Sequence, residues 1–318
     1  MPLPPLRLAI EGCYPSFQST DLVMRILGVL CSYEVVHRSQ PHDLLIRGPF
    51  SDGSSKRRIV NRLLGTTNRF LGRDQPVRLH VSSENPFSEN YQGFGQSGCD
   101  FGLGHEIRHG DPCYQRMPHW WNYVDFAAQG VPSPDHWVRL GEPLNQGQLL
   151  RPLAWNRNAQ PRAAFVASYL NSQRRYLMEQ VSKVLPVDGF GRAFDASISD
   201  HTRSGFTKRE LLNGYQFSLC PENAIAPGYY TEKVPESFAC GAIPIAYLDK
   251  HSSVDFNPKA FLNVYDYLLG GVAPGLQGDL SSKRRMDELI STPLLKEEIW
   301  LDQLIEFIKN VIDCARAF

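Results

Sequence analysis

The stretch from residue 215 to 247 constrains the fold of this chain more than any other. An apolar run, Tyr215 to Cys220, is typical of a buried strand. A loop containing Pro and Gly follows, then a helix that is expected to begin with Thr231 as its N-cap and to end at Gly241. A second apolar strand covers Ala242 to Tyr247. Strand, helix and strand in this order form one βαβ unit of a parallel sheet, and such sheets bind ligands at the carboxyl ends of their strands.

The loop and the helix start of this unit carry groups suited to a phosphorylated ligand. Asn223 and Tyr229 lie in the loop, and Lys233 lies in the first turn of the helix. A helix N-terminus presents unpaired N–H groups and the positive end of the helix dipole, so it favours an anion. The unit therefore predicts a phosphate-binding site.

The same residues carry a resemblance to a known family. The pattern ENxxxxGYxTEK, Glu222 to Lys233, resembles the donor-binding signature of glycosyltransferase family 10, the α-1,3/4-fucosyltransferases. Gly241, Pro244 and the run DFNPKAFLNVYD, Asp255 to Asp266, extend the similarity. The alternative for this stretch is an unrelated Rossmann-like loop with a Glu–Lys pair on its surface.

The resemblance implies an α/β fold of the GT-B architecture, with two Rossmann-like domains facing each other across a cleft. It also implies an inverting transfer of L-fucose from GDP-fucose to a hydroxyl of a glycan acceptor. Glu84, which follows the predicted strand Val77 to Val81, matches the general base proposed for the family. From the residues alone, a solvated loop glutamate is the alternative.

The resemblance also places a set of donor-binding residues. The matched positions are Ser168, Arg174, Arg192, Asn223, Tyr229, Glu232 and Lys233. Arg192 and Lys233 are implied to stabilise the departing diphosphate in place of a metal, and the other polar side chains to hold the ribose, guanine and fucose. For Arg174, an arginine on a helix surface is an equal alternative.

Three departures from the family pattern leave the donor sugar open. Pro221 stands where an aromatic residue is usual, Tyr169 replaces the usual Asn, and Ala246-Tyr247-Leu248 replaces Tyr-Trp-Gly. Two alternative functions are therefore kept. One is a GDP-sugar transferase that uses another donor sugar, and the other is a non-catalytic nucleotide- or glycan-binding homologue.

The length of 318 residues predicts two domains. We expect residues 1–150 to form the N-terminal Rossmann-like domain on the acceptor side and residues 151–295 the C-terminal Rossmann-like domain that binds the GDP-sugar. The linker is expected within the Pro-, Gly- and Asn-rich region 130–161. Residues 296–318 include an amphipathic helix, predicted over Lys296 to Ala315, which we expect to pack back across both domains. A basic helix is predicted over Lys56 to Leu64.

Charge and cysteine content exclude several classes of function. The formal net charge is zero, which argues against a nucleic-acid partner. The seven cysteines lack the spacing of metal ligands, and no Asp-x-Asp motif is present. We therefore expect no metal and no cofactor, with GDP-fucose as a donor substrate and a glycan as acceptor.

Neither a membrane span nor a signal peptide is visible in the sequence. Animal members of the resembled family carry a membrane anchor. Because no such segment is visible in this sequence, we expect a bacterial-type cytoplasmic enzyme. A peripheral contact with a membrane stays open.

Overall fold

The computed structural model describes residues 3–14, 17–50, 75–134, 139–195 and 207–317. The predicted helix Lys56 to Leu64 lies outside the described residues. The chain forms two compact units. The first comprises Met1–Asn122, Phe126–Pro132 and Trp300–Phe318, and the second comprises Tyr123–Asp125 and Ser133–Ile299.

The first unit is built on a parallel sheet of six strands. These are β1 (Leu6–Glu11), β2 (Tyr33–Val35), β3 (Leu44–Arg47), β4 (Val77–Ser82), β5 (Phe101–Gly104) and β6 (Tyr114–Arg116). Their order is β2-β1-β3-β4-β5-β6, and every pair is parallel. Leu8, Ile46 and Leu79 are fully buried, as the apolar strands of a parallel sheet covered on both faces require.

The second unit contains a parallel sheet of five strands. These are β7 (Gln160–Val166), β8 (Val187–Phe190), β9 (Tyr215–Pro221), β10 (Ile243–Tyr247) and β11 (Leu262–Asn263). Starting from the outer strand β8, the order is β8-β7-β9-β10-β11, again with parallel pairs throughout. The chain passes from β7 to one side and returns through β9 on the other, so the topological switch point lies between β7 and β9. We call the edge at which these five strands end the carboxyl edge.

The α-helices within the described residues lie between and after the strands. Numbered along the chain, they are α1 (Phe17–Thr20), α2 (Leu22–Leu30), α3 (Phe94–Ser97), α4 (Gln146–Leu149), α5 (Ser172–Ser182), α6 (Lys208–Leu212), α7 (Lys233–Ala239), α8 (Val272–Ser281), α9 (Lys283–Ser291) and α10 (Asp302–Arg316). Helix α10 belongs to the first unit, where it contacts α2, β4 and β6. Among the described residues, none of the helices has the length and apolar content needed to span a bilayer.

Both units are therefore Rossmann-like, which confirms the predicted α/β class. The predicted βαβ unit of residues 215–247 is present as β9, α7 and β10. Gly241 follows α7 with a φ of +76°, and a Cβ built there would lie 2.3 Å from the carbonyl oxygen of Ala154. A residue without a side chain is required at this position because both the left-handed backbone and the close approach exclude one.

Candidate functional site

A buried carboxylate closes the loop between β9 and α7. Glu222, which directly follows β9, is 2% exposed. One of its oxygens accepts a hydrogen bond of 2.7 Å from the backbone N–H of Thr231, and the other accepts one of 2.7 Å from the Thr231 hydroxyl. A buried carboxylate costs free energy unless it is hydrogen-bonded. These bonds therefore stabilise Glu222 and tie together the two ends of the loop that carries the ENxxxxGYxTEK pattern.

The same bonds explain why the predicted N-cap is wrong. Helix α7 begins at Lys233, with Glu232 in the N-cap position and no side-chain cap. The hydroxyl of Thr231 donates to Glu222 and accepts from the ammonium of Lys233. The buried carboxylate offers Thr231 a charge-assisted hydrogen bond, which is stronger than a neutral bond to the helix N-terminus.

Lys233 is fixed in place at the start of this helix. Its ammonium lies 3.1 Å from the Glu222 carboxylate, 2.7 Å from the Thr231 hydroxyl and 3.8 Å from the Glu232 carboxylate. Its side chain keeps 18% of its surface exposed. A positive group is therefore held with little freedom at the carboxyl edge, in contact with solvent.

A second cluster lies at the switch point between β7 and β9. The guanidinium of Arg174 donates to the side-chain oxygen of Asn223 and, at 2.9 Å, to the carbonyl oxygen of Tyr169. The side chain of Asn171 donates to the carbonyl oxygen of Asn223 at 2.9 Å and accepts from the N–H of Arg174. Arg174 is 5% exposed, so its interpretation as a helix-surface arginine is wrong. It binds the β9 loop to the first turn of α5.

The other predicted donor residues lie on loops at the same edge, but in different environments. Arg192 comes two residues after β8, is exposed, and has no hydrogen bond or ion pair with any described residue. Tyr229 is buried, with its N–H bonded to the carbonyl oxygen of Ala226. Ser168 follows β7 and is partly exposed. The second unit thus brings all seven predicted donor residues to its carboxyl edge, five on loops and two, Arg174 and Lys233, in the first turn of a helix.

Glu84 lies in the first unit, two residues after β4. It is partly exposed, and one of its oxygens accepts a hydrogen bond of 2.7 Å from the N–H of Asn85. The carboxylate is therefore at the end of its strand, as predicted, with capacity for a further hydrogen bond.

Two features of the site and its supporting helix were not predicted from the sequence. The first is the burial of Glu222 and its ion pair with Lys233, for which the available signal was an acidic residue directly after an apolar strand. The second is a buried ion pair on the helix that carries Lys233. The ammonium of Lys208 lies 2.5 Å from the carboxylate of Glu236 in α7, and both groups are buried. Burial lowers the pKa of Lys208, but Glu236 and Glu232 raise it more, so the net pKa is above the ordinary value. Burial raises the pKa of Glu236, and Lys208 opposes this.

Comparisons with known proteins identify what the chain is similar to. Residues 156–270 match the sequence model of glycosyltransferase family 10 (fucosyltransferase), C-terminal part. The chain is 24% identical over 283 residues to alpha-(1,3)-fucosyltransferase FucT of Helicobacter pylori, a match that covers 83% of this chain and 55% of that protein. The chain thus spans about half the length of this relative.

Solved structures show the same fold. A crystal structure of an alpha1,3-fucosyltransferase superposes with a TM-score of 0.63 at 23% identity, covering 98% of this chain and 90% of that one. A crystal structure of an alpha1,3-fucosyltransferase with GDP-fucose gives a TM-score of 0.62 at 21% identity, covering 98% and 91%. These matches support the GT-B type of α/β architecture.

Proposed function

Because residues 156–270 belong to glycosyltransferase family 10, we propose that this enzyme transfers L-fucose from GDP-fucose to a hydroxyl of a glycan acceptor, with inversion at the sugar carbon. The observation that carries the proposal is the clamp of Lys233 by Glu222 and Thr231. This clamp holds the Lys233 ammonium in a fixed position at the edge where parallel sheets bind nucleotides. The GDP-fucose in a similar solved structure supports the choice of donor.

In the proposed reaction, Glu84 acts as the general base. Its carboxylate takes the proton from the acceptor hydroxyl while that oxygen forms a bond to the anomeric carbon of fucose. The bond between this carbon and the phosphate oxygen breaks, and GDP leaves with the bonding electron pair. Attack from the face opposite GDP accounts for inversion.

The departing diphosphate gains negative charge, and the second unit supplies the positive groups that would stabilise it. Lys233 is already positioned by two hydrogen-bond partners, so little reorganisation accompanies the reaction. Arg192 is exposed and free to close on the phosphates. Asn223 and Glu232 are proposed to hold the sugar and ribose hydroxyls. Arg174 acts through Asn223, whose side chain it binds, and is therefore a positioning residue.

We further propose that transfer needs no metal ion, since Lys233 and Arg192 would supply the positive charge that a metal provides in other transferases. The expected result is that excess EDTA leaves the initial rate of transfer unchanged. Loss of activity on chelation, restored by added manganese or magnesium, would contradict this part of the mechanism.

A different donor sugar is the second candidate, and one feature favours it. Tyr247 ends β10 and packs against Tyr176, with ring centroids 6.1 Å apart, in the segment Ala246-Tyr247-Leu248 that departs from the family pattern. These two rings lie at the carboxyl edge, where they would change the shape of a sugar pocket. These two rings do not bear on the other alternative, a non-catalytic binding protein.

One experiment separates these functions. The protein is incubated with a glycan acceptor panel and, in turn, GDP-fucose, GDP-mannose and UDP-sugars, and release of the nucleoside diphosphate is measured. We expect GDP-fucose to be consumed fastest. Faster use of another GDP-sugar would favour the second candidate, and GDP binding without any turnover would favour the non-catalytic homologue. Preference for UDP-sugars would contradict the proposed donor.

The cytoplasmic location is a sequence prediction that fractionation of an expressing host would test.

A further inference from the structure

Tyr169 is an aromatic residue at the carboxyl edge to which the proposed reaction assigns no role. It comes three residues after β7, in the position where the family pattern usually has Asn. The residue is 49% exposed. Part of the ring is therefore accessible to a ligand at the edge where parallel sheets bind ligands.

The ring of Tyr169 is held by a cation on one side. The Cζ of Arg174 lies 4.4 Å from the ring centroid, which is the geometry of a cation–π contact. Arg174 is itself fixed, because it is 5% exposed and its guanidinium donates to Asn223 and to the carbonyl oxygen of Tyr169. The ring therefore has a preferred plane before any ligand binds. A preorganised aromatic surface loses little conformational entropy on binding.

The ring also lies where the topology places a ligand. Tyr169 follows β7 and Asn223 follows β9, and these two strands flank the switch point of the sheet. Ligands of open α/β sheets bind in the crevice at this point. Lys233, the fixed positive charge, starts the helix that leaves the same β9 loop. An aromatic surface and a fixed ammonium group thus lie at the same edge, on segments that follow neighbouring strands.

A nucleoside diphosphate needs both of these groups. Its phosphates require positive charge and its base requires a flat apolar partner, since bases stack on aromatic side chains. We propose that Tyr169 is the stacking platform for the purine base of the donor nucleotide. The proposal rests on the proposed function, and it adds a binding residue that the family pattern does not contain.

The test compares a ligand with a base and a ligand without one. Calorimetric titrations with GDP and with inorganic pyrophosphate are carried out on the wild type, Tyr169→Ala, Tyr169→Phe and Trp155→Ala. Trp155 is the matched control. It also has an arginine near its ring, with the Cζ of Arg157 5.8 Å from the centroid, but it precedes β7 and so lies at the opposite edge of the same sheet.

We expect Tyr169→Ala to weaken GDP binding by about tenfold or more, as loss of one base–aromatic stack typically does. Pyrophosphate affinity should stay unchanged, Tyr169→Phe should bind GDP more tightly than Tyr169→Ala, and Trp155→Ala should match the wild type. Thermal unfolding of each variant confirms that it is folded.

Equal GDP affinity in the wild type and Tyr169→Ala would overturn the proposal while leaving the proposed function intact. An equal loss of GDP and pyrophosphate affinity would also overturn it, because Tyr169 would then support the phosphate site through Arg174. A raised KM for the acceptor at unchanged GDP affinity would move the ring to the acceptor side and overturn the assignment. Absence of GDP binding by the wild type would instead contradict the proposed function itself.

Discussion

Glu84 is the residue on which the proposed chemistry depends most. Replacing it with glutamine keeps the size of the side chain but removes the group that accepts the proton. We expect Glu84→Gln to lower kcat by about 10²–10⁴-fold, the usual effect of losing one positioned general base. GDP affinity should change little, because every proposed contact to the nucleotide lies in the second unit. Initial rates of transfer and a GDP titration measure the two effects.

Glu89 supplies the matched control, since it is an exposed glutamate in the same loop. The variant Glu89→Gln should transfer fucose at the wild-type rate. If Glu89→Gln is inactive and Glu84→Gln active, the base is Glu89. If both are active, Glu106 is the next carboxylate to replace, although its hydrogen bond from Arg108 at 2.6 Å already occupies one oxygen.

Arg192 and Lys233 differ in what their removal costs the fold. Arg192 is exposed and has no described partner, so Arg192→Ala should weaken GDP binding without changing the melting temperature. Lys233→Ala should weaken GDP binding and also lower the melting temperature, because it leaves the buried Glu222 without its ammonium. Titration calorimetry and thermal unfolding measure these effects. Lys183→Ala, at the far end of α5, is the control. Unaltered GDP affinity in both site variants would place the nucleotide elsewhere.

For single residues, the sequence predicted the position of each site residue better than its burial and its contacts. A polar residue directly after an apolar strand of a parallel sheet must lie at the carboxyl edge, so Asn223 and Glu84 could be placed from the chain alone. The burial of Arg174 and Glu222 could not, because it depends on partners in other segments: Asn223 lies 49 residues from Arg174 in the chain.

Helix α7 carries Lys233, and its own anchoring determines how firmly the site is held. The buried pair of Lys208 and Glu236 joins α6 to α7. We expect Lys208→Met to destabilise the protein by about 3–5 kcal/mol, because breaking a buried pair from one side leaves an uncompensated charge. The double variant Lys208→Met with Glu236→Leu should recover most of that loss. Urea unfolding of the two variants measures the difference, and equal destabilisation in both would show that the buried charge is not the cause.

Helix ends show where local signals fail. The last helix was predicted from Lys296, but α10 begins at Asp302. In a helix that began at Lys296, the N–H of Leu301 would donate to the carbonyl oxygen of Glu297. It donates instead to the side-chain oxygen of Gln129, at 2.9 Å. A hydrogen bond to a distant segment thus replaces the helical bond, and a local pattern does not contain that information. Gly241 was predicted correctly because the left-handed backbone after a helix is a local requirement.

For the whole molecule, the length and the family resemblance predicted two Rossmann-like domains, but the sequence does not show that each unit is built from more than one segment. The second unit takes Tyr123–Asp125 from within a region of the first, and the first takes back Trp300–Phe318. The order of the strands in the sheet likewise could not be predicted from the sequence. Hydrophobic runs predict that strands exist, but the switch between β7 and β9 follows from which helices cover which face, and that depends on packing among distant segments.

Buried histidines predict how the stability of the molecule depends on pH. His80 in β4 is 1% exposed, and neither ring nitrogen has a hydrogen-bond partner among the described residues. Burial lowers its pKa to about 3, with further lowering by Arg47, His105 and Arg108. Burial likewise lowers the pKa of His105 to about 3. Below the ordinary pKa of 6.5, the unfolded chain therefore binds protons that the folded protein does not bind.

Stability must then fall as the pH is lowered from about 6.5 towards 3. Each of the two histidines should cost about 2 kcal/mol at pH 5 relative to pH 7, since one pKa unit corresponds to about 1.4 kcal/mol. The variant His80→Leu has no imidazole at this apolar position, so it should lose about half as much stability over the same interval. Urea unfolding of both proteins at pH 7 and pH 5 measures this. Equal losses in the two proteins would mean that His80 becomes protonated without unfolding, and that the interior around β4 admits water.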